Sequence, residues 1–508
     1  MADPSPVPSP PVYWLTRFLL LRLLGLVYLV AFLVAAWQFL PLAGEHGLTP
    51  APALLRALEQ FHGGKWNAFR EVPTLFFWNN SDSFVHSMAW TGVALSLVVL
   101  CGFANVPVLV GLWFLYLSFL HAGGLWYGYG WETQLLETGF LAIFLVPLFD
   151  PRPFPKSPPP IVIIWLYRWL IVRIMLGAGL IKIRGDECWR DLTALFYHYE
   201  TQPVPNPLSP LLHAAPGWFH RIGVLTNHFI ELIGPWFVFW PRLTRPWAGL
   251  LLILFQVTLI CSGNLSFLNW LTLIPCLACL DDSLWTRILP PFLTRRAREA
   301  EVSQQRSRFQ FFTSVAFACA VAWLSLPVVR NLLSPNQAMN TSFDNLHLVN
   351  SYGAFGSIGR ERYELIVQGT REDIPTEFAQ WKEYEFKVKP GDPMRAPAII
   401  TPYHHRLDWQ IWFAAMASPE HYPWTVALVW HLLQNDPATL GLLANNPFPD
   451  GPPKFIRILR YRYEFTPPGD PNGAWWKRER LDIWLPPISL QNHEVRNFLQ
   501  GQGWIPAS

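Results

Sequence analysis

The sequence predicts a polytopic α-helical membrane domain of about nine spans, followed by a soluble, mixed α/β and β-rich, sandwich-like C-terminal domain. Three features of the sequence indicate this division. Only 14% of the 508 residues are charged and 51% are hydrophobic, whereas about a quarter of an ordinary soluble protein is charged. Charges are sparse up to about residue 280 and frequent after it. The 27 Trp residues fit aromatic rings placed at both membrane–water interfaces.

The N-terminus is predicted to be a short disordered tail over residues 1–12. It is rich in Pro and Ser and contains no basic cluster. The apolar stretch that follows, Leu23–Leu40, is too long for the apolar core of a cleaved signal and is interpreted as the first span. The multi-span domain is predicted over residues 13–328 and the soluble domain over residues 329–508.

Nine apolar runs approach the roughly 20 residues that a helix needs to cross a bilayer. They are Leu23–Leu40, Phe84–Phe103, Val106–His121, Thr133–Phe149, Ile161–Ile183, Ile222–Trp240, Pro246–Ser262, Asn264–Leu280 and Phe309–Val328.

The positions of Lys and Arg predict the orientation, because short cytoplasmic segments carry an excess of both. With a cytoplasmic N-terminus, the cytoplasmic segments hold Arg17, Arg22, Arg152, Lys156, Arg242, Arg245, Arg287, Arg295, Arg296, Arg298, Arg306 and Arg308. The opposite turns Ala122–Glu132 and Ser262–Asn264 hold no basic residue. The C-terminal domain is therefore expected in the lumen or periplasm. Two glycosylation sequons, at Asn79 and Asn340, fall on that same side.

Several ionisable residues lie within the predicted spans, where charges are costly and normally pair or face a wet cavity. They are Glu137, Arg168, Arg173, Lys182, His228 and Glu231. Glu137 could pair with an Arg of the next span, and His228 shares a helix face with Glu231. A proton or substrate site is one interpretation. A structural ion-pair network is favoured, because polar residues often join membrane helices.

The loop after the fifth predicted span combines acids, bases and aromatic residues, including Trp189, Asp191, His198, Tyr199 and Glu200. It could line a cavity at the membrane surface or form a polar interface for the soluble domain. No metal site is expected, because the histidines lack the spacing of a helical zinc pair and no third ligand is evident.

The cysteines give no sign of redox chemistry. Cys276 and Cys279 have the spacing of a redox motif, but they lie inside an apolar run, away from the helix N-terminus that lowers a thiol pKa. They are interpreted as buried small residues.

In the C-terminal part, period-two alternation predicts strands over Arg362–Gly369, Tyr384–Lys389 and Phe455–Thr466. Helices are predicted over Leu407–Ala417 and Trp424–Gln434.

No sequence motif of an enzyme is found in the C-terminal part: it contains no Gly-rich phosphate loop, no GxSxG and no HExxH. His404, Arg406, Asp408 and Trp409 lie close together, but no Ser or Cys partner is evident. A packed turn that caps the next helix is favoured over a catalytic site. The net charge of +3 gives no indication of nucleic-acid binding.

Six blocks of sequence resemble the lipase maturation factor family, and they extend over nearly the whole chain after the N-terminal tail. They are Trp131–Leu148, Gly177–Ser209, Gly263–Leu273 with Asp281–Asp282, Val349–Thr370, Arg406–Ala415 and Arg457–Thr466. Within them we single out Glu137, Lys182, Trp189, Asp191, Tyr199, Glu200, Arg406, Asp408 and Trp409 as motif residues.

The resemblance implies a polytopic protein of the endoplasmic reticulum membrane that helps secreted homodimeric lipases to fold and assemble. The partners expected are a secreted lipase or similar client, bound through the lumenal C-terminal domain, and the lipid bilayer. The family implies neither catalytic residues nor a cofactor. The compact loops and the Pro/Ala-rich start would also suit a bacterial relative, for which the compartment is the inner membrane.

A second resemblance gives an enzyme as the alternative. Residues Gly177–Leu192 are similar to the matching stretch of vitamin K-dependent carboxylases, where the corresponding lysine acts as a base on a reduced quinone. Lys182 would then be the base on a quinone or lipid, with His198, Glu200 or Glu137 as helpers. This similarity covers one span and its loop, so the folding factor ranks first.

Overall fold

The computed structural model describes residues 11–240 and 243–506. The predicted disordered tail lies outside these ranges except for its last two residues, and Arg242 also lies outside them. The helices of the N-terminal two thirds are α1 (Trp14–Ala43), α2 (Ala51–Phe61), α3 (Lys65–Glu71), α4 (Asp82–Cys101), α5 (Val106–Ala122), α6 (Gly130–Ile143), α7 (Ile161–Gly185), α8 (Glu187–Arg190), α9 (Ala194–Thr201), α10 (Ser209–His213), α11 (Gly217–His228), α12 (Arg245–Ser262), α13 (Leu268–Leu277), α14 (Asp282–Ile288), α15 (Pro291–Val302) and α16 (Arg308–Leu333).

The C-terminal third combines strands and helices. They are β1 (Arg362–Thr370), β2 (Lys382–Tyr384), α17 (Arg406–Ala415), α18 (Trp424–Leu433), α19 (Pro437–Leu440), β3 (Phe455–Phe465), β4 (Trp476–Ile488) and α20 (His493–Gly501).

Five helices, α1, α4, α7, α12 and α16, are long and apolar enough to cross a membrane. Helices α5 and α13 are apolar but shorter, and α6 has 14 residues. The predicted span Ile222–Trp240 is not one helix: α11 is followed by a π-helical turn, Phe229–Ile233, and a 3-10 turn, Gly234–Val238. Pro235 contributes to this break because it has no N–H to donate. The prediction of a multi-span helical region is confirmed, with five of the nine predicted spans as full-length helices.

The ends of the helices form two faces of the bundle, and contacts between helix ends hold each face together. On the near face, the Asp282 carboxylate accepts hydrogen bonds from the amides of Trp14 and Leu15 at the start of α1 (2.8 and 3.0 Å), and Arg17 donates to the Ser157 carbonyl. On the far face, Trp126 donates to Thr49 (2.8 Å). We use near face for residues 102–105, 144–160 and 278–290, and far face for residues 44–50, 122–130, 184–216 and 263–267.

The strands form one antiparallel sheet in the order β2-β1-β3-β4. In the register, Arg362 of β1 pairs with Tyr463 of β3, and Phe465 of β3 pairs with Trp476 of β4. The predicted strands that became β1 and β3 are confirmed.

The predicted strand Tyr384–Lys389 is wrong. Regular pairing ends at Tyr384, and Phe386 makes a single bridge to Leu443. The amides of Val388 and Lys389 donate to the Asp408 carboxylate instead of to a neighbouring strand.

Helices α17 and α18 pack on the sheet. In the described ranges the C-terminal region has one antiparallel sheet with helices packed on it. This agrees with the predicted mixed α/β character, and the sandwich-like arrangement is not confirmed. Buried side chains of the sheet and its helices, such as Leu365, Leu428 and Ile458, belong to the same hydrophobic core as Leu24 and Tyr167 of the membrane helices. Helix α16 continues past the predicted end of its span at Val328, to Leu333.

Candidate functional site

A buried ion pair on α6 and α7 is completed by a segment from the C-terminal third. Glu137 pairs with Arg173, and both side chains are almost fully buried. The Glu137 carboxylate also accepts the amide of Asn350 (3.0 Å) and the hydroxyl of Tyr352 (2.7 Å), while Arg173 donates to the Asn350 carbonyl (2.8 Å). A buried charge pair needs such additional hydrogen bonds to offset the cost of removing both ions from water.

A second buried pair joins the start of α6 to the start of α17. Arg406 donates to the Glu132 carboxylate (2.8 Å), and both side chains are inaccessible to solvent. Tyr116 also donates its hydroxyl to Glu132, and the Arg406 guanidinium lies 3.6 Å from the centre of the Tyr127 ring. The Arg406 amide donates to Gln38 at the far end of α1 (2.9 Å). This ion pair therefore joins α1, α5 and α6 of the bundle to α17 of the C-terminal region.

The other motif residues of α17 have structural contacts. Asp408 accepts the amides of Val388 and Lys389 (2.7 and 3.0 Å). The Trp409 ring packs edge-on against Trp131 at 4.9 Å. The turn is packed as expected, but it does not cap α17 through a side chain, because His405 at the start of the helix makes no capping hydrogen bond.

Lys182 is engaged in a third buried network. Its ammonium donates to Glu231 (2.5 Å) and to Asn227 (3.2 Å) and lies 4.9 Å from the centre of the Trp189 ring. Glu231 belongs to the π-helical turn. Trp189 in turn donates to the carbonyl of Phe355 (2.8 Å). The network therefore links α7, the interrupted span and the chain after α16.

Of the three proposed helper residues, one lies near Lys182 and two are engaged in other contacts. His198 is near it: burial, aided by the charge of Lys182, lowers the pKa of His198 to about 4. Glu137 belongs to the Arg173 network, and Glu200 accepts the amide of Phe465 in β3 (2.7 Å). The arrangement around Lys182 is that of an ion pair joining helices.

A fourth contact fixes the sheet to the far face. Arg362 at the start of β1 donates to the carbonyls of Glu200 and Pro203 (2.8 and 2.9 Å). It also pairs with Glu364 (2.6 Å), which accepts Lys389 as well (2.8 Å), and all three charged side chains are buried. Of the remaining loop residues, Tyr199 is buried and Asp191 is exposed at the end of α8.

Sequence reasoning missed several of the residues that make these contacts: Glu132, Asn350, Arg362, Glu364 and Lys389. The sequence contained one signal for two of these residues: Arg362 and Glu364 are charged residues within a predicted strand. Among the described residues, no group of three His, Cys, Asp or Glu side chains is placed to hold a metal ion.

The helices and these contacts define a multi-pass membrane protein with a C-terminal sheet region joined to its far face by buried ion pairs. Models of the lipase maturation factor transmembrane domain and of the lipase maturation factor C-terminal domain match residues 15–287 and 348–486, respectively. The chain belongs to the lipase maturation factor family.

Full-length relatives agree with this assignment. The chain is 48% identical to lipase maturation factor 1 of Bos taurus, over 97% of this chain and 92% of the relative. It is 46% identical to lipase maturation factor 1 of Homo sapiens, over 97% and 90%. Lipase maturation factor 2 of Xenopus tropicalis is 29% identical, over 94% and 83%. No solved structure matches the chain. The comparisons give no support to the carboxylase alternative.

Proposed function

We propose that this protein is a non-enzymatic membrane factor that helps secreted lipases to fold and assemble. The observation that carries the proposal is the similarity over 97% of the chain to relatives named lipase maturation factor 1. It covers the membrane helices and the sheet region together, so the parts that would anchor the protein and those that would bind a client are both shared.

The proposed compartment is the endoplasmic reticulum, with the C-terminal region in the lumen. The relatives come from animals, which favours this compartment over a bacterial inner membrane. The basic residues of the near face support a cytoplasmic position for that face. The sheet region is fixed to the opposite face, through pairs such as Arg406–Glu132.

The proposed contact surface for the client is the loop between β1 and β2, residues 371–381. Its side chains Phe378 and Ile374 are 98% and 69% exposed. The loop is held in place, because Glu377 pairs with Arg457 (3.1 Å) and Arg480 (2.9 Å). A fixed, exposed aromatic side chain is a typical anchor of a protein interface.

The test uses cells that lack their own maturation factor, supplied with this full chain and a secreted homodimeric lipase. The measurement is lipase activity per mass of lipase secreted. The double variant Ile374→Asp/Phe378→Asp should lower this ratio about tenfold or more. The reason is that an interface anchor contributes about 2 kcal/mol to the free energy of binding. Met394→Asp, which changes another exposed apolar residue of the C-terminal region, is the matched control.

Two results would contradict the proposal. If the wild-type chain leaves the activity per mass of lipase unchanged, the maturation role fails. If the wild-type chain raises it and the double variant does so equally, the role stands and the loop is not the contact surface.

A further inference from the structure

The segment from the end of α14 to the start of α16 concentrates the positive charge of this protein. Residues 287–308 contain six Arg and two Glu, with no Lys or Asp. Their net charge of +4 exceeds the +3 of the whole chain, so the remainder of the chain is slightly acidic. We call the six basic side chains the arginine cluster: Arg287, Arg295, Arg296, Arg298, Arg306 and Arg308.

The arginine cluster is exposed and almost free of acidic partners. All six residues are exposed. Within the part of the chain that the structure describes, one of them forms an ion pair: Arg295 lies 3.8 Å from Glu299, and both side chains are exposed. The sheet provides a contrast, because Arg480 of β4 pairs closely with Glu377 (2.9 Å). The cluster is therefore available to an anion from outside the chain.

Helix α15 holds half of the cluster at the end of the bundle. Its inner face, with Ala297 and Ala300, packs with Trp14 and Leu15 at the start of α1. Because α1 is long and apolar enough to cross a membrane, α15 lies at the level where the membrane helices end. The three arginines of α15 lie on the part of its surface that this packing leaves free.

The start of α16 brings the end of the cluster to the surface of the bilayer. Arg306 and Arg308 directly precede Phe309, Phe311 and Phe312, which are all exposed. These rings face lipid, because α16 is long and apolar enough to cross a membrane. Basic side chains at the end of such a helix extend into the headgroup region.

Two exposed apolar side chains accompany the cluster. Ile288 is the last residue of α14 and Phe292 lies in the first turn of α15, and they are 63% and 54% exposed. A helix that combines basic and exposed apolar side chains is typical of a helix lying in the membrane interface. A soluble polyanion would leave both side chains in water, whereas a phospholipid brings acyl chains that can cover them.

We propose that the arginine cluster binds the headgroups of anionic phospholipids in the leaflet at the near face. Groups of four to eight basic residues beside a membrane helix are typical of sites for acidic lipids. The guanidinium group binds a phosphate through two parallel hydrogen bonds. A choline headgroup has a positive charge that offsets its phosphate, so the cluster attracts it less. The proposal depends neither on the lipase client nor on the maturation role.

The test measures thermal unfolding of the full chain in a non-ionic detergent while dioctanoyl phosphatidylserine is added. A ligand that binds the folded state raises the midpoint in a concentration-dependent manner. Dioctanoyl phosphatidylcholine is the matched ligand. We expect the apparent affinity for phosphatidylserine to be about tenfold higher or more, since each basic residue near an acidic headgroup contributes about fivefold. The preference should shrink at high ionic strength, because salt screens exposed charges.

A triple variant removes the charges of α15. Arg295→Gln/Arg296→Gln/Arg298→Gln leaves the inner face of the helix intact and should reduce the preference for phosphatidylserine to about twofold or less. The midpoint without lipid shows whether the variant is folded. If it is not, Arg306→Gln/Arg308→Gln, at two exposed positions outside α15, provides the result.

The matched control removes three basic residues beyond the opposite end of α1. Arg56, Lys65 and Arg70 are exposed on α2 and α3, which follow the far end of α1. Arg56→Gln/Lys65→Gln/Arg70→Gln should keep the preference for phosphatidylserine. A loss equal to that of the α15 variant would mean that the net charge of the chain, and not the arginine cluster, selects the lipid, and would overturn the proposal.

Two soluble anions test whether a lipid is the occupant. Free phosphoserine and a short single-stranded oligonucleotide should each raise the midpoint much less than dioctanoyl phosphatidylserine, because neither covers the apolar side chains. A shift from either that equals the shift from the lipid would overturn a lipid site. Equal shifts from phosphatidylserine and phosphatidylcholine, or an unchanged preference in the α15 variant, would also overturn the proposal.

Discussion

Glu132 and Arg406 show how much a single residue contributes to joining the two parts of this protein. Their side chains are inaccessible to solvent and pair at 2.8 Å. The net contribution of such a pair can be small, since desolvation offsets the attraction. Removing one member is costly, because the other charge is then left buried and alone. The contact is therefore sensitive to single substitutions.

We expect Arg406→Met to lower the free energy of unfolding by about 3–5 kcal/mol, the usual cost of breaking a buried pair. The double variant Arg406→Met/Glu132→Gln should recover a large part of this loss, because the uncompensated carboxylate is gone. The measurement is reversible denaturation of the full chain in detergent. Arg152→Met, at an exposed pair with Asp150, is the control and should leave the free energy of unfolding nearly unchanged, because exposed ion pairs contribute little. Equal losses in the single and double variants would contradict the prediction.

His198 gives a pH dependence with a defined direction. Its folded pKa of about 4 lies below the value of about 6.5 in an unfolded chain, so the fold favours the neutral ring. The stabilisation is complete above pH 6.5 and is lost as the pH falls from about 6.5 to about 4. Between about pH 7 and about pH 5 the loss should be about 1–2 kcal/mol.

The variant His198→Phe should reduce this pH dependence, because Phe does not titrate and can pack on Phe355 as the imidazole does. Thermal unfolding midpoints across the same pH range provide the measurement. His493→Phe, at an exposed position in α20, should leave the slope unchanged. An identical slope in the wild type and His198→Phe would show that another group is responsible.

At the scale of elements, the interrupted span after α11 determines how α7 is held. The π-helical turn places Glu231 against Lys182, and Asn227 one turn earlier hydrogen-bonds to both. π-helical turns are rare and often mark functional positions. In this protein the turn carries the carboxylate that neutralises a lysine of the preceding span.

A structural ion pair and a catalytic base respond differently when both charges are removed. We expect Lys182→Met and Glu231→Gln each to lower the amount of folded protein, and Lys182→Met/Glu231→Gln to restore much of it. Lipase activity per mass secreted should follow the level of folded protein in all three. A double variant that is as abundant as the wild type and yet inactive would support a catalytic role for Lys182.

Sequence patterns could predict the elements whose environment is uniform along their length. The long apolar helices α1, α4, α7, α12 and α16 and the alternating strands β1 and β3 belong to this group. Strand β4 gave no such signal, because its first half, Trp476–Asp482, carries charges at consecutive positions. Those charges pair with side chains of neighbouring elements, as Arg480 does with Glu377.

The candidate site was predictable only in part, for a reason of distance along the chain. Glu137 and Arg173 are 36 positions apart on successive spans, and the sequence indicated that they could pair. Glu132 and Arg406 are separated by 274 positions. Asn350 is an uncharged residue of the block Val349–Thr370, and nothing in that block indicates that it contacts Glu137. A single sequence does not indicate which residues that are so far apart along the chain come into contact in the fold.

At the scale of the whole molecule, the orientation can be tested through its sequons. Asn79 and Asn340 are next to the far face and are both exposed, so both should carry glycans if that face is lumenal. Asn79→Gln and Asn340→Gln should each remove one glycan, measured as a gel shift that is sensitive to endoglycosidase. Gln305→Asn creates a sequon, Asn-Arg-Ser, between α15 and α16, next to Lys156 of the near face. A glycan at that position would show that the near face is lumenal and would contradict the proposed orientation.

The contact of Asn350 with Arg173 and Glu137 has a consequence for biosynthesis. Asn350 follows Arg173 by 177 positions, so at roughly 5–20 residues per second the ribosome needs about 10–35 s to deliver it. During this interval two charged helices wait in the bilayer with their hydrogen bonds incomplete. A transient binding partner, such as an insertion chaperone, could shield them. Truncations that end before residue 350 should therefore be degraded rather than accumulate as a shorter membrane protein.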